Sequence, residues 1–262
     1  MAADSRNGPF PCMPARPLAP AVSFAPSLLA SRFAATHLWL PSVIGVAVFT
    51  VLMGLGGDQW LADHLFRLEG GRWALQDAWL TRSVVHKAGK WLSTAAALVA
   101  MLLCFHHWRR GRDRTLRWAL LYVVVAVALG TGLISLLKSL VPMDCPWDLL
   151  RYGGHDPFVG LLSSRPTGMP ARACFPAGHA SAGYAWMCLY FFALLWRPAW
   201  RWAGLWIGLG SGLVFGIGQQ LRGAHFLSHD VATALICWLL SLGLYLVVRR
   251  QLDRSTRQEA IA

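Results

Sequence analysis

Six long apolar runs alternate with short polar connections along the chain, at residues 38–57, 91–108, 118–137, 179–196, 203–221 and 231–248. Each is close to the ~20 residues that a helix needs to cross a ~30 Å hydrocarbon core. Several begin or end on Trp, which gathers at membrane–water interfaces. The pattern predicts an all-α fold: a polytopic membrane protein built as a six-transmembrane helix bundle. Between the first two runs, Trp60, Leu61, Leu65, Phe66 and Leu68, then Trp79, Leu80, Val84 and Val85, recur at helical spacing among charges. This predicts an amphipathic outer segment of one or two helices lying on the membrane surface. Residues 1–36, rich in Pro and Ala, read as a disordered tail. They lack the charged start, apolar stretch and cleavage site of a signal peptide, so the first span is expected to stay as an anchor. The six-span domain is placed at 37–250 and a C-terminal tail at 251–262.

Composition agrees with the pattern. Apolar residues make up 56% of the chain and Trp occurs 14 times, a profile of a membrane protein rather than a soluble domain. The formal charge of +12 would suit a nucleic-acid binder. Its basic residues, however, are spread over short connections, so the charge is read as orienting the chain in a bilayer and no nucleic-acid partner is expected. Lys and Arg concentrate in the two tails, in RRGRDRTLR and in RPAWR, whereas segments 58–90, 138–178 and 222–230 hold most of the 12 acids. Short basic loops stay cytoplasmic. Both termini are therefore expected inside, with the other three segments facing outward.

That topology brings three polar clusters to one outer face: KSLVPMDCPW from Lys138, CFPAGHAS from Cys174, and RGAHFLSHD from Arg222. Ionisable residues against a bilayer are functional suspects. A lone interfacial His is more often a headgroup contact, and a lone Lys at a span end usually snorkels. Here Lys138, Arg222, a Gly178-His179 turn opening a helix, His225, and His229 beside Asp230 stand at matching span boundaries, and the combination favours phosphoryl chemistry. Cations and backbone N–H groups at a helix start neutralise phosphate oxygens. One imidazole can attack phosphorus while another protonates the leaving oxygen.

The three clusters resemble the signature motifs of the type 2 phosphatidic acid phosphatase (PAP2) superfamily of integral membrane phosphatases, whose active site is related to that of vanadium haloperoxidases. The family pattern is Lys-x6-Arg-Pro, then Pro-Ser-Gly-His, then Ser-Arg-x5-His-x3-Asp. This chain has Lys138 with Cys145-Pro146, then Pro176-Ala177-Gly178-His179, then Arg222, His225 and Asp230. The resemblance implies that His225 is the nucleophile, oriented by Asp230, and that His179 is the general acid. Lys138, Arg222 and the Gly178 amide would hold the phosphate, and no cofactor or metal would be required. It further implies a phosphorylated lipid as substrate, hydrolysed through a phosphohistidine at the periplasmic leaflet of a bacterial inner membrane; oligomeric state is left open.

The departures matter too. Cys145 replaces the first motif's Arg, with Arg151, Arg165 and Arg172 as candidate stand-ins, and Ala177 replaces a Ser. Six residues before His225 stands Gln219, and Arg222 is only three before it. Asp230 follows His225 by five residues instead of four, about 100° further round a continuous helix. Taking His229 as nucleophile instead would set Asp230 adjacent and pointing away.

Of the six cysteines only Cys145 and Cys174 fall in outer loops. In an oxidising compartment they would either form a disulfide, closing a loop of about 29 residues worth roughly 3 to 4 kcal/mol, or remain free thiols. A metal site from Cys145, Cys174, His179 and His225 is the rival chemistry, opposed by the nearby cations and by the lack of closely spaced ligand pairs. Transfer of phosphate to a second lipid, or a catalytically weak protein that binds anionic lipid, are the alternative functions. His86, Lys87 and Lys90 are read as a solvated face. Gly208, Gly210, Gly212, Gly216 and Gly218 are read as a helix-packing surface.

Overall fold

In hydrocarbon each backbone N–H and C=O must find its partner within its own segment, so apolar runs free of breakers wind into helices. The structure, a computed structural model, describes residues 31–111 and 113–259. Most of the expected tail, residues 1–30 with Cys12, lies outside the described residues. The helices are α1 Ser31–Gly54, α2 Gly57–Leu68, α3 Leu80–Arg110, α4 Arg114–Leu140, α5 178–196, α6 Arg201–Gln220 and α7 Leu227–Glu259. Among the described residues the only β-pairings are isolated bridges, Met143 with Ala173 and Leu149 with Asp156. The fold is therefore all-α. Four helices, α1, α3, α4 and α7, are long and apolar enough to cross a membrane.

Helix bounds differ from the sequence expectation in three places. α1 starts by Ser31 and takes in residues 31–36 of the expected tail, because Phe33 stacks on His37 at 4.0 Å and on Tyr245 of α7 at 5.8 Å. α3 begins at Leu80, so the second half of the expected outer segment is the opening of this helix and not a separate surface helix. It packs inward because two glycines leave room for it. A Cβ on Gly89 would lie 2.5 Å from the Phe215 ring of α6, and one on Gly218 would lie 2.7 Å from Val85. At the other end, α7 runs on to Glu259, through most of the expected C-terminal tail, where Arg114 donates to the Ser255 hydroxyl.

The core lies between α4, α5 and α7. Tyr122, Val123 and Ala126 meet Tyr184, Trp186 and Phe191, with Cys237, Leu242 and Tyr245 closing the third side. The Tyr122 hydroxyl donates to the Ser241 carbonyl at 3.0 Å, satisfying its buried polar end. α5 and α6 approach backbone to backbone, with Gly183 against Gly212, Gly204 against Leu189 and Gly208 against Met187. Small residues allow this, and close contact replaces the hydrophobic drive that lipid cannot supply. α2 remains a separate short helix after a turn at Gly56 (φ 81°). Its Asp58 carboxylate accepts the Ser228 N–H at 2.9 Å, so it caps the start of α7. Burial raises the Asp58 pKa, against the lowering effect of that hydrogen bond.

Candidate active site

The C-terminal ends of α4 and α6 and the N-terminal ends of α3, α5 and α7 meet at one end of the bundle. α6 is stopped by Gly223, whose φ of 67° is easily reached only without a side chain. The Gly223 N–H returns to the Gln220 carbonyl and the Ala224 N–H to that of Gln219, both at 2.9 Å, a glycine-stopped helix end. The Trp73 ring occupies the place that a side chain would take. This turn carries Arg222 inward. Its Nε donates to the Gln76 carbonyl at 2.7 Å and its Nη1 to Gln219 Oε1 at 3.2 Å, and the guanidinium stands 5.9 Å from the Trp147 ring. Burial lowers its pKa, but a guanidinium stays cationic regardless.

His225 follows the turn and precedes α7. Its Nδ1–H donates to the Cys174 carbonyl at 2.7 Å, which leaves Nε2 as the nitrogen with a free lone pair. Burial pushes this imidazole well below the usual histidine range, and neighbouring His229 and Lys138 act in the same direction. A neutral ring with Nδ1 committed is the form able to act as a nucleophile through Nε2. His179 opens α5, its Nε2 donating to the Val85 carbonyl at 3.3 Å and its ring 4.2 Å from that of His86. Gly178 precedes it at the helix start, and the Lys138 side chain lies over Gly178, where a Cβ would be 3.5 Å from Nζ.

Lys138, Gly178, His179, Arg222 and His225 all line one cavity of about 680 Å³. Among the described residues no carboxylate lines it. The Cys145 and Cys174 sulfurs form a disulfide, with their Cα atoms 5.3 Å apart, and both residues also face this cavity. Sulfurs joined in this way offer no thiolate to a metal, which removes the metal site drawn from Cys145, Cys174, His179 and His225.

Other expected positions fall elsewhere. Asp230 does not orient His225. Its Oδ2 accepts from Gln220 Nε2 at 2.5 Å, and it sits against Gly216 of α6. The cause is the break before α7: His225 lies outside the helix, so the five-residue spacing is not a rotation about a shared axis. His229 is fully buried behind the cavity, its Nδ1 3.4 Å from that of His225. Arg151 forms a two-pronged ion pair with Asp63 at 2.7 and 2.5 Å, Arg165 pairs with Asp144, and Arg172 with Asp156. None of the three reaches the cavity, so none stands in for the missing Arg. Ala177 is wholly buried beneath α7, where its N–H donates to the His229 carbonyl.

Two groups read as a solvated face belong to the cavity instead, His86 and Lys90. Gln219 joins them. Its side chain bonds His86 Nδ1 at 3.0 Å through Nε2 and Arg222 through Oε1, linking the two. A signal was present: His86, Lys90 and Thr94 recur every fourth residue on α3, and Thr131, Ser135 and Lys138 recur similarly on α4. Such polar stripes on otherwise apolar helices point to a lined cavity.

A family model described as the PAP2 superfamily matches residues 119–253, more than half of the chain, a range that holds all three signature clusters but not α3. No curated protein and no solved structure matches it significantly. Members of that superfamily are phosphatases and phosphoesterases.

Proposed function

This chain belongs to the PAP2 superfamily, and on that premise we propose that it is a membrane phosphatase that removes phosphate or diphosphate from a lipid at the periplasmic leaflet of a bacterial inner membrane. In this reading α5 and α6 also cross the bilayer, making six spans with both termini cytoplasmic. The observation that carries the proposal is the shared cavity, which holds Lys138, Arg222, the start of α5 and the imidazoles of His86, His179 and His225 without an opposing carboxylate.

His225 Nε2 attacks phosphorus, and His179 protonates the departing oxygen. Water, deprotonated by His179, then cleaves the phosphohistidine. Lys138, Arg222 and the Gly178 N–H hold the nonbridging oxygens, where charge builds up in the transition state. The test is phosphate release by purified protein in micelles from a panel of phosphatidic acid, phosphatidylglycerol phosphate and polyprenyl diphosphate. His225→Ala and His179→Ala are each expected to lower kcat by about 10³-fold or more. Equal release by all three proteins defeats the phosphatase reading; tight anionic-lipid binding without release favours a catalytically weak lipid binder.

A further inference from the structure

We infer that the Cys145–Cys174 disulfide is the positioning element of the attacking histidine, holding the Cys174 carbonyl to which His225 Nδ1–H donates. This rests on the reading of His225 as nucleophile. A histidine that attacks through Nε2 must keep its proton on Nδ1, and the group accepting that proton fixes both tautomer and ring orientation. The resemblance assigns that part to Asp230, but Asp230 is bonded to Gln220 and has left the imidazole. The Cys174 carbonyl, 2.7 Å away, occupies its place.

What holds that carbonyl is a closed ring of contacts. The Cys174 N–H donates to the Met143 carbonyl at 3.1 Å, and the Met143 N–H to that of Arg172 at 2.9 Å. Cys145, two residues after Met143, opens the short turn Pro146–Asp148. In that turn the Trp147 N–H donates to the Gly223 carbonyl at 2.9 Å, two residues before His225. The path from His225 to Cys174, across the sulfurs to Cys145, through Trp147 to Gly223 and back to His225 is thus closed, and the disulfide is its covalent link. Replacing the first motif's Arg by Cys145 therefore gives up a phosphate contact and gains a clamp on the nucleophile's partner.

With the bond open, the carbonyl is released, the ring samples both tautomers, and the fraction carrying its proton on Nε2 cannot attack. Lys138 and Arg222 are untouched, so substrate binding persists. The chemistry of opening balances simply: an added dithiol supplies two electrons and two protons, two thiols appear on the chain, and the reagent closes to its own disulfide. Both bonded residues line the cavity, the side from which a small reductant would approach.

The experiment compares oxidised wild type, wild type reduced with dithiothreitol, reduced protein after reoxidation, and Cys145→Ala, all in micelles. It reads kcat and KM for dioleoyl phosphatidate and the ring nitrogens of His225 by ¹⁵N NMR. We expect reduction and Cys145→Ala to lower kcat by about 10- to 100-fold, the usual effect of removing an orienting partner, with KM within about twofold. Reoxidation restores kcat, and the His225 signal shifts from a single Nδ1–H form to a mixture on reduction. An unchanged kcat, an unchanged tautomer, or a loss that reoxidation does not reverse overturns the inference. If no lipid is hydrolysed even by oxidised wild type, the phosphatase reading fails, while the NMR arm still decides whether the disulfide sets the ring.

Discussion

His225 makes the sharpest residue-scale prediction because its environment has a definite sign. Burial lowers its pKa, so it stays neutral as pH falls past the ordinary histidine value of about 6.5. The His225 ring should therefore show no protonation near pH 6.5 in an NMR titration of the folded protein; a ring that titrates there would contradict the assignment. Stability follows the same sign. In the unfolded chain the ring takes a proton below about pH 6.5 and in the folded chain it does not, so its contribution is full above that pH and is lost as pH falls. Thermal unfolding in detergent at pH 7.5 and 5.5 should show a smaller loss for His225→Asn than for wild type. Lys90 makes a second prediction. It lines the cavity from α3 beside His86, as a charge that attracts the anionic substrate, so Lys90→Ala should raise KM several-fold with kcat nearly unchanged, the signature of lost uniform binding; a large fall in kcat would place it in the reaction itself. Lys138, His179, Arg222 and His225 were readable from the chain because each stands at a span boundary. The orienting partner of His225 was not, since it is a backbone carbonyl 51 residues away, and nothing in a residue's identity marks its carbonyl. His86 and Lys90 were hidden differently: a charged stripe looks the same whether water or a cavity faces it.

At the scale of the element, the glycine row of α6 was expected to pack, but its members differ. Gly208 and Gly212 meet α5, Gly216 leaves room for Asp230, and Gly218 for Val85, whereas nothing lies within 4 Å of a Cβ on Gly210. Gly208→Ala would push a methyl into the Met187 backbone and should cost about 1–3 kcal/mol, as overpacking does. Gly210→Ala should instead stabilise by roughly 0.5–1 kcal/mol, the ordinary helix preference for Ala over Gly. Equilibrium unfolding in mixed micelles measures both, and equal effects at the two positions would mean that α5 and α6 are not in this register. Periodicity located the helix but not which face met a neighbour, because that depends on rotation about its axis. Likewise the cap on α7 comes from Asp58, 170 residues earlier, beyond the reach of any local pattern.

For the whole molecule, the distribution of charge and aromatic surface argues for one orientation. Opposite the cavity, Arg109, Arg117, Arg197 and Arg201 lie over Phe105, Trp108, Trp196 and Trp202 at 5.0 to 5.9 Å. Guanidinium heads on aromatic rings suit a headgroup boundary, and their sign suits the cytoplasmic side. At the cavity end, Trp60, Trp79 and Trp91 are exposed. Between these ends, α1 presents Val43, Ile44, Val46 and Val51 outward, a surface that water would not tolerate as a contiguous face but lipid would. The loop from α4 to α5 and the turn from α5 to α6 should thus lie on opposite sides of the bilayer. Leu162, almost fully exposed in the first, and Ala199, exposed in the second, are suitable probes. In a background lacking Cys12 and Cys104, Leu162→Cys should react with a membrane-impermeant maleimide in intact cells, and Ala199→Cys only after permeabilisation. The buried Cys188 and Cys237 and the bonded pair should stay silent under both conditions. Labelling of both probes in intact cells would remove α5 from the set of crossing helices, and with it the periplasmic placement of the cavity; labelling of Ala199→Cys alone would invert the molecule and turn the same site toward the cytoplasmic leaflet.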